Sequence, residues 1–122
     1  MKFGIMMLYV RDIEKTRAFY ENVVGLPIVQ EQSDEHFIVF RPSEGTLIAL
    51  EDIKVVKNPT SQPGSFELGL EVEDVEGTWE KWKAHGVEIV DDPADMPFGR
   101  AFLARDPEGH YITVYRLQQQ LG

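Results

Sequence analysis

The chain contains no cysteine, so neither a disulfide framework nor a thiolate metal site is open to it. That absence fits a reducing compartment, and a cytoplasmic protein is the expectation. No apolar run approaches the ~20 residues needed to cross a bilayer. The first residues also lack the basic stretch, apolar run and small-residue cleavage site of a leader, so no membrane partner is expected. Basic charge is scarce: 12 Lys and Arg stand against 21 Asp and Glu, for a net charge of −9. Such a surface repels phosphate backbones and argues against nucleic acid as a partner. Glycine-rich phosphate loops are missing, and no Ser or Thr has a nucleophile's setting. The histidines His36, His85 and His110 form no pair with metal-like spacing, and structural roles are expected for all three. His85 precedes a helix-ending glycine, where imidazole suits the helix dipole, and His110 shares the parity of Ile112. What remains is a chain of 122 residues, 43% apolar. One domain of that size buries roughly two-thirds of its unfolded surface.

One stretch of the chain is written twice. Val10-Arg11-Asp12-Ile13-Glu14-Lys15-Thr16 is followed, sixty-two positions on, by Val72-Glu73-Asp74-Val75-Glu76-Gly77-Thr78. In each copy an alternating apolar run stops at an Asp, and a helix-period run begins. A carboxylate there accepts a free N–H of the first helical turn, so each copy marks a strand passing into a helix. A repeat of this length predicts a duplicated half-domain rather than a solenoid.

The flanking patterns agree. A strand is predicted over 2–10, with Met6, Leu8 and Val10 on one face and Phe3, Ile5, Met7 and Tyr9 on the other. A helix from Ile13 is closed by Gly25, and strands follow near 26–33, 36–41 and 46–51. Residues 53–64, with Asn58-Pro59 and Pro63-Gly64, read as a short linker. The second half repeats the order: a strand over 66–72, a helix over 75–85 ended by Gly86, and strands near 87–90, 100–105 and 111–116. Pro107-Glu108-Gly109 answers Ser43-Glu44-Gly45 as a turn. The expectation is a single α+β domain built as βαβββ twice, with modules over about 1–52 and 65–117 and a polar tail over 118–122.

Three groups of residues carry a resemblance: Val10-x-Asp12…Phe19-Tyr20…Gly25-Leu26; Pro97-Phe98-Gly99-Arg100-x-Phe102; and Asp106-Pro107-Glu108-Gly109-His110-x-Ile112. In these the chain resembles the vicinal-oxygen-chelate superfamily of glyoxalase I, bleomycin-resistance proteins and extradiol dioxygenases. The resemblance implies paired βαβββ modules forming a curved open barrel around a cleft, commonly as a homodimer. It also implies a divalent metal held by His, Glu or Gln at four strand positions, which here fall on Ile5, Ala49, Glu67 and Thr113. Isoleucine and alanine cannot ligate, and a neutral hydroxyl is a poor donor to Zn²⁺, Ni²⁺ or Fe²⁺. No metal and no other cofactor is therefore expected, and glyoxalase I or dioxygenase chemistry is unsupported.

Strand alternation gives the lining of the implied cleft. Ile5, Met7 and Tyr9 share a face with Leu47, Ala49 and Glu51 in the first half; Glu67 shares one with Tyr111, Thr113 and Tyr115 in the second. Phe98 and Arg100 are expected to close the rim. An apolar and aromatic lining with a few polar groups is how small-molecule sites are built. Glu67 is the sharpest candidate: it either receives a cationic or donor-bearing group, or acts as a general base. The bland alternative pairs it with Arg100 on a solvated face. Three readings follow. The first is metal-independent binding of a small amphipathic ligand by sequestration, as in bleomycin resistance. The second is a lyase, isomerase or hydrolase with Glu67 as catalytic base; the third is a dimerisation or regulatory module.

Overall fold

Both aspartates of the repeated stretch cap helices. Asp12 Oδ1 accepts the Lys15 N–H at 3.1 Å, and Asp74 Oδ1 accepts the Gly77 N–H at 2.9 Å. The threonine four positions after each donates its hydroxyl back to that aspartate's carbonyl, at 2.8 Å in both copies. The computed structural model in which these contacts are seen describes residues 5–56, 62–64 and 66–118. Phe3, Asn58 and Pro59 lie outside the described residues. Helix α1 spans Ile13–Ala18 and continues as a π-helical stretch, Phe19–Val24, closed by Gly25 at φ 85. Helix α2 spans Val75–Ala84 and is closed through His85, whose ring lies 2.8 Å from the Lys81 carbonyl.

The chain divides into two compact units, Met1–Phe66 and Glu67–Gly122. The first carries β1 (Met6–Val10), β2 (Phe37–Ser43) and β3 (Thr46–Asp52) in the order β1-β3-β2, with β1 parallel to β3. The second carries β4 (Glu67–Glu71), β5 (Glu88–Met96), β6 (Gly99–Arg105) and β7 (Tyr111–Leu117) in the order β4-β7-β6-β5. Again the first strand is parallel to the last. The α+β class and the doubled order are as expected, with one correction. The strand predicted over 26–33 is reduced to a single bridge, Ile28 to Phe40. Pro27 has no N–H to give, so this segment makes only scattered bonds to β2: Val29 N to Val39 O at 2.8 Å and Arg41 N to Pro27 O at 3.0 Å. It then coils into a 3₁₀ turn over Gln30–Gln32. Its counterpart β5 is longer than expected, reaching Met96 through two register shifts.

In each unit the helix covers one face of the sheet. Leu8, Val10, Ile38, Phe40, Ile48 and Leu50 are buried with Ile13 and Tyr20 in the first; Leu68, Phe102, Ala104, Ile112 and Val114 are buried with Val75 and Trp82 in the second. The aromatic centres are themselves repeated at the sixty-two-residue offset. Tyr20 meets Phe40 at 6.1 Å, and Trp82 meets Phe102 edge-on at 5.6 Å. Burying each such ring contributes roughly 1.5–3 kcal/mol. Trp79, on the same side of α2, carries the Lys83 ammonium 4.2 Å above its ring.

The turn before β7 is organised by a buried carboxylate. Asp106 Oδ1 accepts the N–H of Glu108 and of His110 at 2.9 Å, and Oδ2 lies 2.5 Å from His110 Nδ1. Neither side chain of that pair reaches solvent. Such a buried group is tolerable because it is bonded throughout, and His110 takes the structural role expected of it. No described helix is long and apolar enough to cross a membrane.

Candidate functional site

With one sheet face under the helix, the other face of each module is available for function, and strand register fixes what it shows. In the first module Met7 pairs with Ala49 and Ala49 with Val39; Tyr9 pairs with Glu51 and Glu51 with Phe37. Ala49 is fully buried with Val29 and Val39, and Ile5, Met7, Phe37 and Leu47 pack around them. The predicted residues Ile5, Met7, Tyr9, Leu47, Ala49 and Glu51 are thus brought to one face; Ile5, Met7, Leu47 and Ala49 belong to its apolar cluster, while Tyr9 and Glu51 lie half-buried on the same face outside it. Val29, Val39 and Phe37 belong to the cluster and were not predicted. Val39 and Phe37 are legible from the alternation of β2; Val29, on the coiled edge segment, is not.

The second module's open face is different. Glu67 pairs with Tyr111, Gly69 with Thr113 and Glu71 with Tyr115. The next strand adds Arg105 beside Tyr111, Leu103 beside Thr113 and Ala101 beside Tyr115. Thr113 Oγ1 faces the exposed Glu67 Oε1 at 3.4 Å, a long and weak contact. The Arg105 guanidinium lies 4.9 Å over the Tyr111 ring and reaches Glu88 at 3.5 Å. Phe98, in the β5–β6 turn, stands edge-on to Tyr115 at 6.1 Å. Glu67, Tyr111, Thr113, Tyr115 and Phe98 therefore come together as expected, joined by Arg105 and Leu103, which sequence reasoning missed.

Arg100 does not join them. It pairs with Arg116 and is one residue out of phase with Ala101, so it lies on the helix side. There its Nε donates to Glu76 at 2.6 Å and its Nη1 to Asp95 at 3.1 Å. The hydrogen bond to Glu76, and then that to Asp95, hold its pKa above the usual arginine value. The alternation Arg100-x-Phe102-x-Ala104 carried this placement; proximity to Phe98 in sequence was the misleading cue. Neither rim closure nor pairing with Glu67 is its role. Instead it borders a groove of about 1040 Å³ at the end of the second sheet, with Glu71, Asp95, Arg116 and Leu117 among its walls.

The four positions of the resembled metal site fall two to a module: Ile5 against the Ala49 cluster, and Glu67 against Thr113. A hydrocarbon pair and a single carboxylate beside a hydroxyl do not fit a catalytic divalent ion. No group of three His, Asp or Glu able to hold one occurs among the described residues.

Fold, register and motifs agree with the sequence match: the chain belongs to the Glyoxalase/Bleomycin resistance protein/Dioxygenase superfamily, which residues 2–114 match. The phenazine antibiotic resistance protein EhpR of Enterobacter agglomerans is 25% identical, covering 91% of this chain and 88% of its own. A probable lactoylglutathione lyase of Synechocystis is 27% identical, over 88% and 89%. Among solved structures, TnmS3, an antibiotic binding protein from Streptomyces sp. CB03234, superposes with a TM-score of 0.82 at 28% identity, covering 97% of this chain and 98% of that one.

Proposed function

We propose that this protein binds a small amphipathic molecule on its open sheet faces without a metal ion, and acts by sequestration or carriage. The observation that carries the reading is the second module's open face. Two tyrosines, a phenylalanine and an exposed carboxylate beside a threonine are presented there on one sheet face, and the residues at the resembled metal positions do not make a donor set for a catalytic ion. Aromatic side chains offer large contact area, and a few polar groups fix orientation. The similarity to an antibiotic resistance protein and an antibiotic binding protein supports the same class of ligand. A homodimer in the cytoplasm, with both modules acting as one domain, completes the proposal.

The test is titration of tyrosine and tryptophan fluorescence against a panel of antibiotics and aromatic metabolites, with elemental analysis of the purified protein alongside. Saturable quenching by at least one compound, with no stoichiometric Zn, Ni, Fe or Mn, is expected. Silence across the panel, or a bound stoichiometric metal, overturns the reading. Size-exclusion chromatography with light scattering checks the dimer.

The Glu67–Thr113 pair favours a second reading, in which Glu67 is the general base of metal-free lyase, isomerase or hydrolase chemistry. Glu67→Gln separates the two. Turnover that vanishes while ligand affinity is retained supports catalysis; weakened affinity with no turnover in either protein supports binding.

A further inference from the structure

We infer that the groove at the end of the second sheet is a further binding site, and that it takes a zwitterion of the amino-acid class with an apolar side chain. The inference is independent of the open-face reading. It starts from a charge pattern that differs between the duplicated halves. Asp95, Arg100 and Arg116 form one cross-strand row on the helix side, and Met96, Gly99 and Leu117 form the next. Two arginines thus stand directly opposite each other, where like charges destabilise a sheet. Sixty-four positions earlier, at the offset that separates the turns Ser43-Glu44-Gly45 and Pro107-Glu108-Gly109, the corresponding pair is His36 and Asp52. There the Asp52 carboxylate lies 3.1 Å from the His36 ring. Where the first module has a carboxylate, the second has a guanidinium.

One of the two arginines is neutralised and the other is not. Arg100 is held by Glu76 and Asp95. Arg116 is exposed, and among the described residues its side chain has no ion pair and no hydrogen bond. A carboxylate from solution can stand where Asp52 stands in the first module, meeting the guanidinium through two parallel N–H···O bonds. The other walls narrow the ligand. Glu71 and Glu73 line the same groove, exposed and without ion pairs. They oppose a simple anion and attract a ligand that also carries an ammonium group, while Arg116 opposes a simple cation. Met96 and Leu117 are 46% and 51% exposed in those walls, and covering them favours an apolar side chain. Gly99 stands between them in their row. Its φ of 152, and a Cβ position that would overlap the Arg116 carbonyl, exclude any larger residue, so the fold itself keeps that gap open. A groove of about 1040 Å³ has room for such a molecule.

The probe is L-leucine in calorimetric titration, with L-leucinamide lacking the carboxylate and 4-methylpentanoate lacking the amine. The wild-type protein should bind leucine roughly tenfold or more tightly than either control, since each lacks one charge-assisted contact. Arg116→Asp rebuilds the opposite-charge pair of the first module, with a carboxylate facing Arg100. It should weaken leucine binding roughly tenfold or more while Tm is unchanged or raised, because the like-charge pair is gone. Arg116→Gln should lose the same affinity without adding an acid. Arg116→Lys keeps the charge without the planar fork and should fall between. Wild-type protein that does not bind leucine at millimolar concentration overturns the inference. So does either control binding as tightly as leucine, or leucine affinity unchanged in both Arg116→Asp and Arg116→Gln. Each of those results leaves ligand binding on the open face to its own titration.

Discussion

The two modules share their hidden halves and differ in their open ones. On the helix side the correspondence is close: Asp12 and Asp74 cap, Thr16 and Thr78 bond back, and Tyr20–Phe40 matches Trp82–Phe102. On the open side the first module packs Val29, Val39 and Ala49 into a cluster, while the second leaves Glu67, Tyr111 and Phe98 exposed. The helix side answers to packing, which punishes change by several kcal/mol at a time. The open side answers to what it must touch, and there the duplicated halves differ: an apolar cluster with Tyr9 and Glu51 beside it in the first, an exposed carboxylate among aromatic rings in the second. The difference places the chemistry-bearing groups in the second module.

The largest effect should test the shared half. Phe40→Ala and Phe102→Ala remove equivalent buried rings, and each is expected to cost about 3–5 kcal/mol in urea unfolding. Costs differing by several kcal/mol between them would break the equivalence. Next come the caps: Asp12→Ala and Asp74→Ala should each cost about 1 kcal/mol. The open faces should then part company. Glu67→Gln is expected to weaken ligand binding about tenfold or more, the worth of a hydrogen bond to a charged group, with stability within about 0.5 kcal/mol of wild type. Arg100→Met, on the helix side, should leave affinity within about twofold. A large affinity loss at Arg100 would move the site toward the groove at the end of the sheet.

Most of this architecture was legible because strand parity and helix capping act locally. Asp12 and Asp74 announced their helices, and alternation put Met7 with Ala49 and Glu67 with Thr113. What was not legible depended on neighbours distant in sequence. Pro27 removed a donor from a segment whose apolar run otherwise reads as a strand, and only the missing β2 partners show it. Arg105 and Leu103 joined the candidate site through the β6–β7 register, which no local pattern states. Arg100 was misplaced because its nearness to Phe98 outweighed its parity with Phe102. That Ala49 is buried, and so forms the base of its face rather than a contact surface, depends on Val29 arriving from the coiled edge.

Each module also joins an aspartate to a histidine, and this yields the smallest and most conditional effect. In the second, Asp106 and His110 are sealed from solvent. In the first, Asp52 accepts the Lys54 N–H at 3.0 Å and lies 3.1 Å from the His36 ring, which is partly exposed. The Lys54 backbone N–H chiefly, and the His36 ring after it, hold the Asp52 carboxyl below its ordinary value of 3.8 against the opposing effect of burial. A folded-state value below the unfolded one means that the charged form favours folding. The contribution is complete above the unfolded value and is lost as pH falls through the folded one. Asp52→Asn should therefore destabilise the protein at neutral pH, with the gap from wild type narrowing by about pH 3. Urea midpoints of the two proteins at both pH values measure it. A gap of constant size would mean that Asp52 acts through the shape of its hydrogen bonds alone, and that its charge contributes nothing to the first module.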